Sequence, residues 1–193
     1  MITATTTGEA MDADLTALRE ELQRLRDHEE IRQLLYRYAR GVDRADADII
    51  RSVYAEDGTD QHGPFDGPGE EFAQVVVDRA KPVWHVVGNH HITNIFIQLD
   101  GDQARAETYF LAFHPHNDHG HPELGIISGR YLDQLERTEN GWRIRRRVVI
   151  SDWTRNHLEG PEWERTTERG GYLGGRRGDA DPSYEFFAKS RSI

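Results

Sequence analysis

The periodicity of apolar residues changes once along this 193-residue chain, and that change constrains the fold more than any other feature. Up to Ala80 the apolar side chains recur every three or four positions, the spacing of one helix face. From His91 onward they alternate, the spacing of a half-buried strand. Two turn signals divide the alternating part. Residues 91–99 and 103–113 flank Asp100-Gly101-Asp102, and residues 126–137 and 142–150 meet at Glu139-Asn140-Gly141, where Asn-Gly suits a type I′ turn. Helices followed by a long antiparallel meander predict an α+β domain with helices on one face of a curved sheet. The concave side of such a sheet is either filled or becomes a pocket.

The helical part divides further. From Ala13, Leu15, Leu18, Leu22 and Leu25 form a narrow apolar stripe, which suits an arm packing on a neighbour. Asp27 followed by Glu30 has the form of a capping box, so a second helix is expected to restart there and to carry Ile31, Leu34, Leu35, Tyr38 and Val42, with Gly41 near its end. Residues 45–54 read as a short third helix with Ile49, Ile50 and Val53 inward, stopped by Glu56-Asp57-Gly58. The run from Gly63 to Gly69 reads as a turn-rich loop, and residues 70–80 as an amphipathic helix ended by Pro82. Residues 154–193 are rich in Gly, Arg and Glu with little periodicity. They are expected to wrap the domain as a tail anchored by Phe186 and Phe187. The chain thus divides into an arm over 1–26, one domain over 27–153 and a tail over 154–193.

Charge and composition narrow the chemistry. The net charge is −10, and no basic block interleaved with aromatics exists, which argues against nucleic acid and anionic membrane as partners. No stretch approaches the ~18 apolar residues of a membrane span, and the first residues lack the pattern of a secretion signal, so the cytoplasm is the expected location. The absence of cysteine removes disulfides, thiolate nucleophiles and Cys-ligated metals. Reactivity therefore has to come from His, Asp, Glu, Tyr, Arg or a hydroxyl. His114, His116, Asp118, His119 and His121 crowd into eight residues, but their spacing matches neither HExxH nor a facial triad, so a solvated loop at a pocket rim is expected and no metal. Strand alternation is expected to put Arg143, Arg145 and Arg147 on one face.

Two motifs carry a family resemblance: Tyr38-x-x-x-x-Asp43 at the end of the second predicted helix, and His90-His91-Ile92-Thr93-Asn94 opening the first long strand. With the order of elements over residues 27–153, they resemble the SnoaL-like branch of the nuclear-transport-factor-2-like superfamily, in particular the group of scytalone dehydratase, bile-acid 7α-dehydratase and hexachlorocyclohexane dehydrochlorinase. The resemblance implies a cone-shaped, curved antiparallel β-sheet with N-terminal helices on its concave face, enclosing a hydrophobic pocket. It also implies a pair between Asp43 and His90, with His91 one position away, no cofactor, a small hydrophobic substrate, and a homo-oligomer, trimer or dimer. The chain departs from the pattern where an arginine near the end of the last strand aligns with Ser151, and a second aspartate with Ala112. Arg130, Arg145 and Arg147 are the candidates to supply that cation from elsewhere.

The chemistry expected of these residues is proton abstraction followed by elimination. A histidine near its ordinary pKa is a base at neutral pH once a carboxylate fixes its tautomer and balances the imidazolium, which are the roles of His90 and Asp43. Tyr38 is the candidate acid for a leaving group or an enolate oxygen. His62, Tyr54, Trp84 and His91 are the candidate substrate-binding residues. Together they predict a cofactor-independent lyase losing water, halide or formaldehyde from an alicyclic, steroid-like or aromatic molecule, with isomerase or non-catalytic binding or accessory subunit as alternatives. One geometric condition follows. Tyr38 and Asp43 are about 140° apart on an ideal helix, so the helix is expected to end by Gly41 for both to serve one site.

Overall fold

The computed structural model describes residues 4–81, 88–116, 123–155, 173–174 and 182–188. Helix α1 (Ala4–Arg44) is one uninterrupted helix of 41 residues, not an arm followed by a restart. The Asp27/Glu30 pair that looks like a cap has another use. The buried Asp27 carboxylate accepts from Arg137 Nη1 and Nη2 at 2.7 and 2.8 Å, Trp142 Nε1 at 3.1 Å and Gln23 Nε2 at 3.0 Å, which ties α1 to the far end of the sheet. Every described side chain from Ala10 to Arg26 is exposed, and burial begins at Asp27. Beyond it Ile31, Leu34, Leu35 and Tyr38 face the core. The helix closes with Ala45 in the left-handed region at φ 49°, where the Asp46 N–H reaches back to the Gly41 carbonyl at 2.9 Å.

Asp46 then caps α2 (Ala47–Arg51) by accepting from the N–H groups of Asp48 and Ile49. Gly41 lets the two helices touch, since a Cβ there would lie 2.9 Å from side-chain carbons of both Ile49 and Ile50. The third helix therefore ends earlier than expected. Tyr54 already opens β1 (Tyr54–His62), and Glu56-Asp57-Gly58 lies inside that strand at an irregularity in its pairing with the last long strand. Gly58 is required there because a Cβ would stand 2.5 Å from the Ile144 carbonyl oxygen. The expected loop at 63–69 is instead a tight turn and an edge strand, β2 (Phe65–Pro68), which leads into α3 (Gly69–Ala80).

The two predicted hairpins form: β3 (Asn89–Asp100) with β4 (Gln103–His116), and β5 (Glu123–Thr138) with β6 (Gly141–Arg155). The second turn is not type I′, because neither Glu139 nor Asn140 has a positive φ and Gly141 alone does, at 90°. The Thr138 hydroxyl accepts from the Asn140 N–H and donates to the Gly141 carbonyl in its place. Strand order is β2-β1-β6-β5-β4-β3, an open curved sheet whose β1–β6 pair is parallel, so the sheet is mixed and not wholly antiparallel. The two-residue β7 (Leu173–Gly174) also runs parallel to β6, and Phe186 of α4 (Pro182–Ala188) lies under the Arg105 guanidinium, 5.2 Å from its ring centre. The first three helices cover the concave face, with Ile31, Leu35, Tyr38, Ile50 and Phe72 meeting Phe110, Tyr131, Ile144 and Val149 in one core.

Candidate active site

At the β3 end of the concave face, His90 Nδ1 lies 2.7 Å from Asp43 Oδ1, and the His90 backbone N–H donates to Asp43 Oδ2 at 3.1 Å. Both carboxylate oxygens thus hold one residue. The His90 side chain is 5% exposed and that of Asp43 15%. Helix α1 does not end by Gly41 as expected, but Asp43 in its last turn still faces β3. With Nδ1 committed to the carboxylate, Nε2 is the ring nitrogen left for proton exchange. His91 points the other way, exposed and edge-on to Phe113 at 5.5 Å between ring centres, so strand alternation removes it from the site. A second imidazole accompanies the pair: the His114 ring on β4 meets that of His90 edge-to-face at 4.9 Å. Along the same face of β4, Ala104, Ala106, Thr108 and Ala112 are small and buried, with Phe110 among them.

Tyr38 does not stand beside the dyad. Its side chain leaves α1 toward β5 and β6, edge-on to Tyr131 at 5.5 Å and to Tyr54 at 6.4 Å. Phe110 joins the two regions, stacked on Tyr131 at 4.5 Å and tilted toward His90 at 6.4 Å. The Arg147 guanidinium lies over both tyrosine rings, 4.0 Å from Tyr38 and 4.2 Å from Tyr131, and donates twice to Asp133, each bond 2.7 Å. Tyr54 donates a very short hydrogen bond to Asp60, whose other oxygen is 3.6 Å from His62 Nδ1. His62 stacks on Phe72 at 4.5 Å. The interior is therefore aromatic but not purely hydrophobic. Among the described residues, the buried Tyr38 Oη, Thr108 Oγ1, Asp60 Oδ1 and Arg147 Nη1 have no hydrogen-bond partner. Burial, and after it the Asp60 charge, pushes the phenols of Tyr38 and Tyr54 up, so both stay protonated donors at neutral pH. Burial also raises the Asp133 carboxyl, and the Arg147 charge opposes that rise.

Of the three arginines considered for the missing cation, Arg147 is the one turned into the concave face, and the reason is a bulge. Gln134 pairs with Arg146 but Leu135 with Ile144, so Arg145 is an extra residue on β6. The extra residue shifts the alternation and sends Arg147 inward with Ile144, while Arg143 and Arg145 do not follow, contrary to the expectation of one shared face. Arg145 pairs outside with Asp57, and Arg130 lies over Tyr109 bound to Glu107 and Asp152. Trp84 and residues 117–122 of the His-rich segment lie outside the described residues. Among the described residues, no group of three His, Asp or Glu side chains is arranged around a metal position.

The model of the SnoaL-like domain family matches residues 23–148. A curated relative, an uncharacterized protein of Mycobacterium tuberculosis, is 28% identical over 128 residues, covering 63% of this chain and 83% of its own. Among solved structures, an NTF2-like protein with a cystatin-like fold from Novosphingobium aromaticivorans is 26% identical with a TM-score of 0.58, over 76% of this chain and 92% of that one. A candidate scytalone dehydratase from the same organism gives 19% and 0.60 over 71% and 91%. The hexachlorocyclohexane dehydrochlorinase LinA-type3 of Novosphingobium barchaimii gives 21% and 0.61 over 73% and 99%. The latter two likenesses are likenesses of fold. On the family match, which spans more than half of its length, this chain belongs to the SnoaL-like domain family.

Proposed function

We propose that the chain is a cofactor-independent lyase. The observation that carries the reading is the two-point clamp of Asp43 on His90, which fixes the imidazole and leaves Nε2 as its base. His90 Nε2 takes a proton from a carbon next to an activating group, the released electron pair forms the new double bond, and the leaving group departs with its own bonding pair. Asp43 balances the imidazolium as an aspartate does in hydrolase triads. Tyr38 and Arg147 supply the polar end of the cavity: a phenol kept protonated by burial and a guanidinium N–H suit a departing hydroxide or halide, or the oxygen of an enolate. His114, His62 and Tyr54 border the substrate, which is small and hydrophobic with one electronegative group directed at Tyr38.

The phenol of Tyr38 and the guanidinium of Arg147, packed against each other, favour one second reading. An enolate held there can receive the proton back at another carbon, which is isomerisation. Incubating the protein with a panel of β-hydroxy ketones, chlorinated alicyclics and β,γ-unsaturated ketones, and identifying products, separates the two. Turnover abolished in both Asp43→Asn and His90→Ala with the fold intact supports the enzyme. Ligand binding that survives both changes, with no turnover of any panel member, leaves a binding protein and sinks the proposal.

A further inference from the structure

We infer that the exposed first half of α1 is a pairing helix that joins two copies of this chain, side by side and in parallel, through a short coiled coil. Met11, Leu15, Leu18, Leu22 and Leu25 are between 43 and 61% exposed, and they succeed one another at steps of four, three, four and three. Those steps are the seam of a heptad repeat, with Leu15 and Leu22 at a and Met11, Leu18 and Leu25 at d. The stripe faces no other part of the described chain, since burial on α1 begins only at Asp27. At 1.5 Å per residue, the seam from Met11 to Leu25 is about 21 Å long. Most of it precedes residue 23, where the match to the family begins.

The flanking charges select the occupant and its direction. In this register Asp14 and Glu21 are at g, and Asp12, Arg19 and Arg26 are at e. In a parallel pair each g residue meets the e residue five positions later on the other helix, so Asp14 meets the partner's Arg19 and Glu21 meets the partner's Arg26. Both contacts are attractive, and symmetry doubles them. In an antiparallel pair centred on Leu18, g faces g and e faces e, which sets Asp14 against Glu21 and Arg19 against Arg19 and leaves Asp12 against Arg26 as the attractive contact. A lipid surface fits poorly, because the apolar stripe is narrow, its flanks carry acids, and the chain bears a net charge of −10. The partner whose charges and seam match is another copy of the same helix.

The chain has no cysteine, which makes the orientation easy to read. In the full-length protein, a single Met11→Cys variant should form a disulfide-linked pair under mild oxidation, since like d positions adjoin only in a parallel pair. Light scattering should give twice the single-chain mass for the unmodified protein at tens of micromolar. The mass should halve in Leu18→Glu/Leu22→Glu, with the circular dichroism of the folded domain retained because both positions are exposed. Glu21→Arg should weaken the pair at least tenfold, and Glu21→Arg/Arg26→Glu should restore it. A monomeric unmodified protein, a mass indifferent to the two glutamates, or a Met11→Cys protein that does not cross-link overturns the inference.

Discussion

Two carboxylate–base pairs, one with an imidazole and one with a guanidinium, sit on the same concave face and are built for different ends. Asp43 and His90 lie toward the β3 end with partial exposure, and the carboxylate spends both oxygens on one residue while the imidazole keeps a nitrogen unspent. Asp133 and Arg147 lie between β5 and β6 with no exposure, joined by two parallel bonds and roofed by two tyrosine rings. The first pair combines a weak base with a fixed orientation. The second is a permanent charge whose removal from water costs more than its contacts return unless every atom is used. A buried ion pair is thus weak evidence of stability.

The sharpest separation of the two pairs is kinetic. On the proposed reaction, His90→Ala should lower turnover about 10²–10⁴-fold while shifting the unfolding midpoint little, as checked by rate assays and denaturant melts on the same sample. Breaking the other pair should act on the fold. Asp133→Ala should destabilise by about 3–5 kcal/mol in urea unfolding, and Asp133→Leu/Arg147→Met should recover most of that, because the double change removes both buried charges. Asp27 is an intermediate case, a buried carboxylate that serves neither pair. Asp27→Asn should cost about 1–3 kcal/mol at pH 7. The Arg137 contacts hold Asp27 below the ordinary value of 3.8, so its contribution is complete above that pH and fades as acid titrates the folded form. Acid melts should therefore show the Asn variant and the parent converging only as the pH falls below 3.8. The smallest effect concerns the helix end beneath Asp43. Ala45→Gly removes a left-handed alanine and should raise stability by about 0.5 kcal/mol without changing turnover, since His90 holds Asp43 independently of the cap.

What the sequence disclosed follows from how local each signal is. The hairpins were legible because alternation and a glycine turn are written in adjacent residues, and His90 as the partner of Asp43 was legible through a resemblance that fixed the strand's face. Asp27 was misread because its true partners, Arg137 and Trp142, are more than a hundred residues away, while its neighbour Glu30 imitates a cap. Tyr38 joined the dyad through the motif of the resemblance, whereas its neighbours Tyr54, Tyr131 and Arg147, distant in sequence, draw its side chain toward β5 and β6. His114 was hidden in a run of histidines in which only the register of β4 singles it out. Asp60 gave no signal at all, since a buried acid inside Thr59-Asp60-Gln61 reads as a polar turn.

The extra residue at position 145 has a consequence for how this cavity can be altered. Inward and outward on a strand are a matter of odd and even counting, and Arg145 is where β6 changes parity. Deleting that single residue would restore plain alternation, with Ile144 in, Arg146 out and Arg147 in, so Arg147 would keep its place. Keeping the residue but pairing β6 without the bulge would instead bring Arg146 and Val148 to the interior and expel Arg147. The polarity of this interior therefore rests on the bulge as much as on any side chain, and relatives that differ by a one-residue gap there can still present the same inward residues.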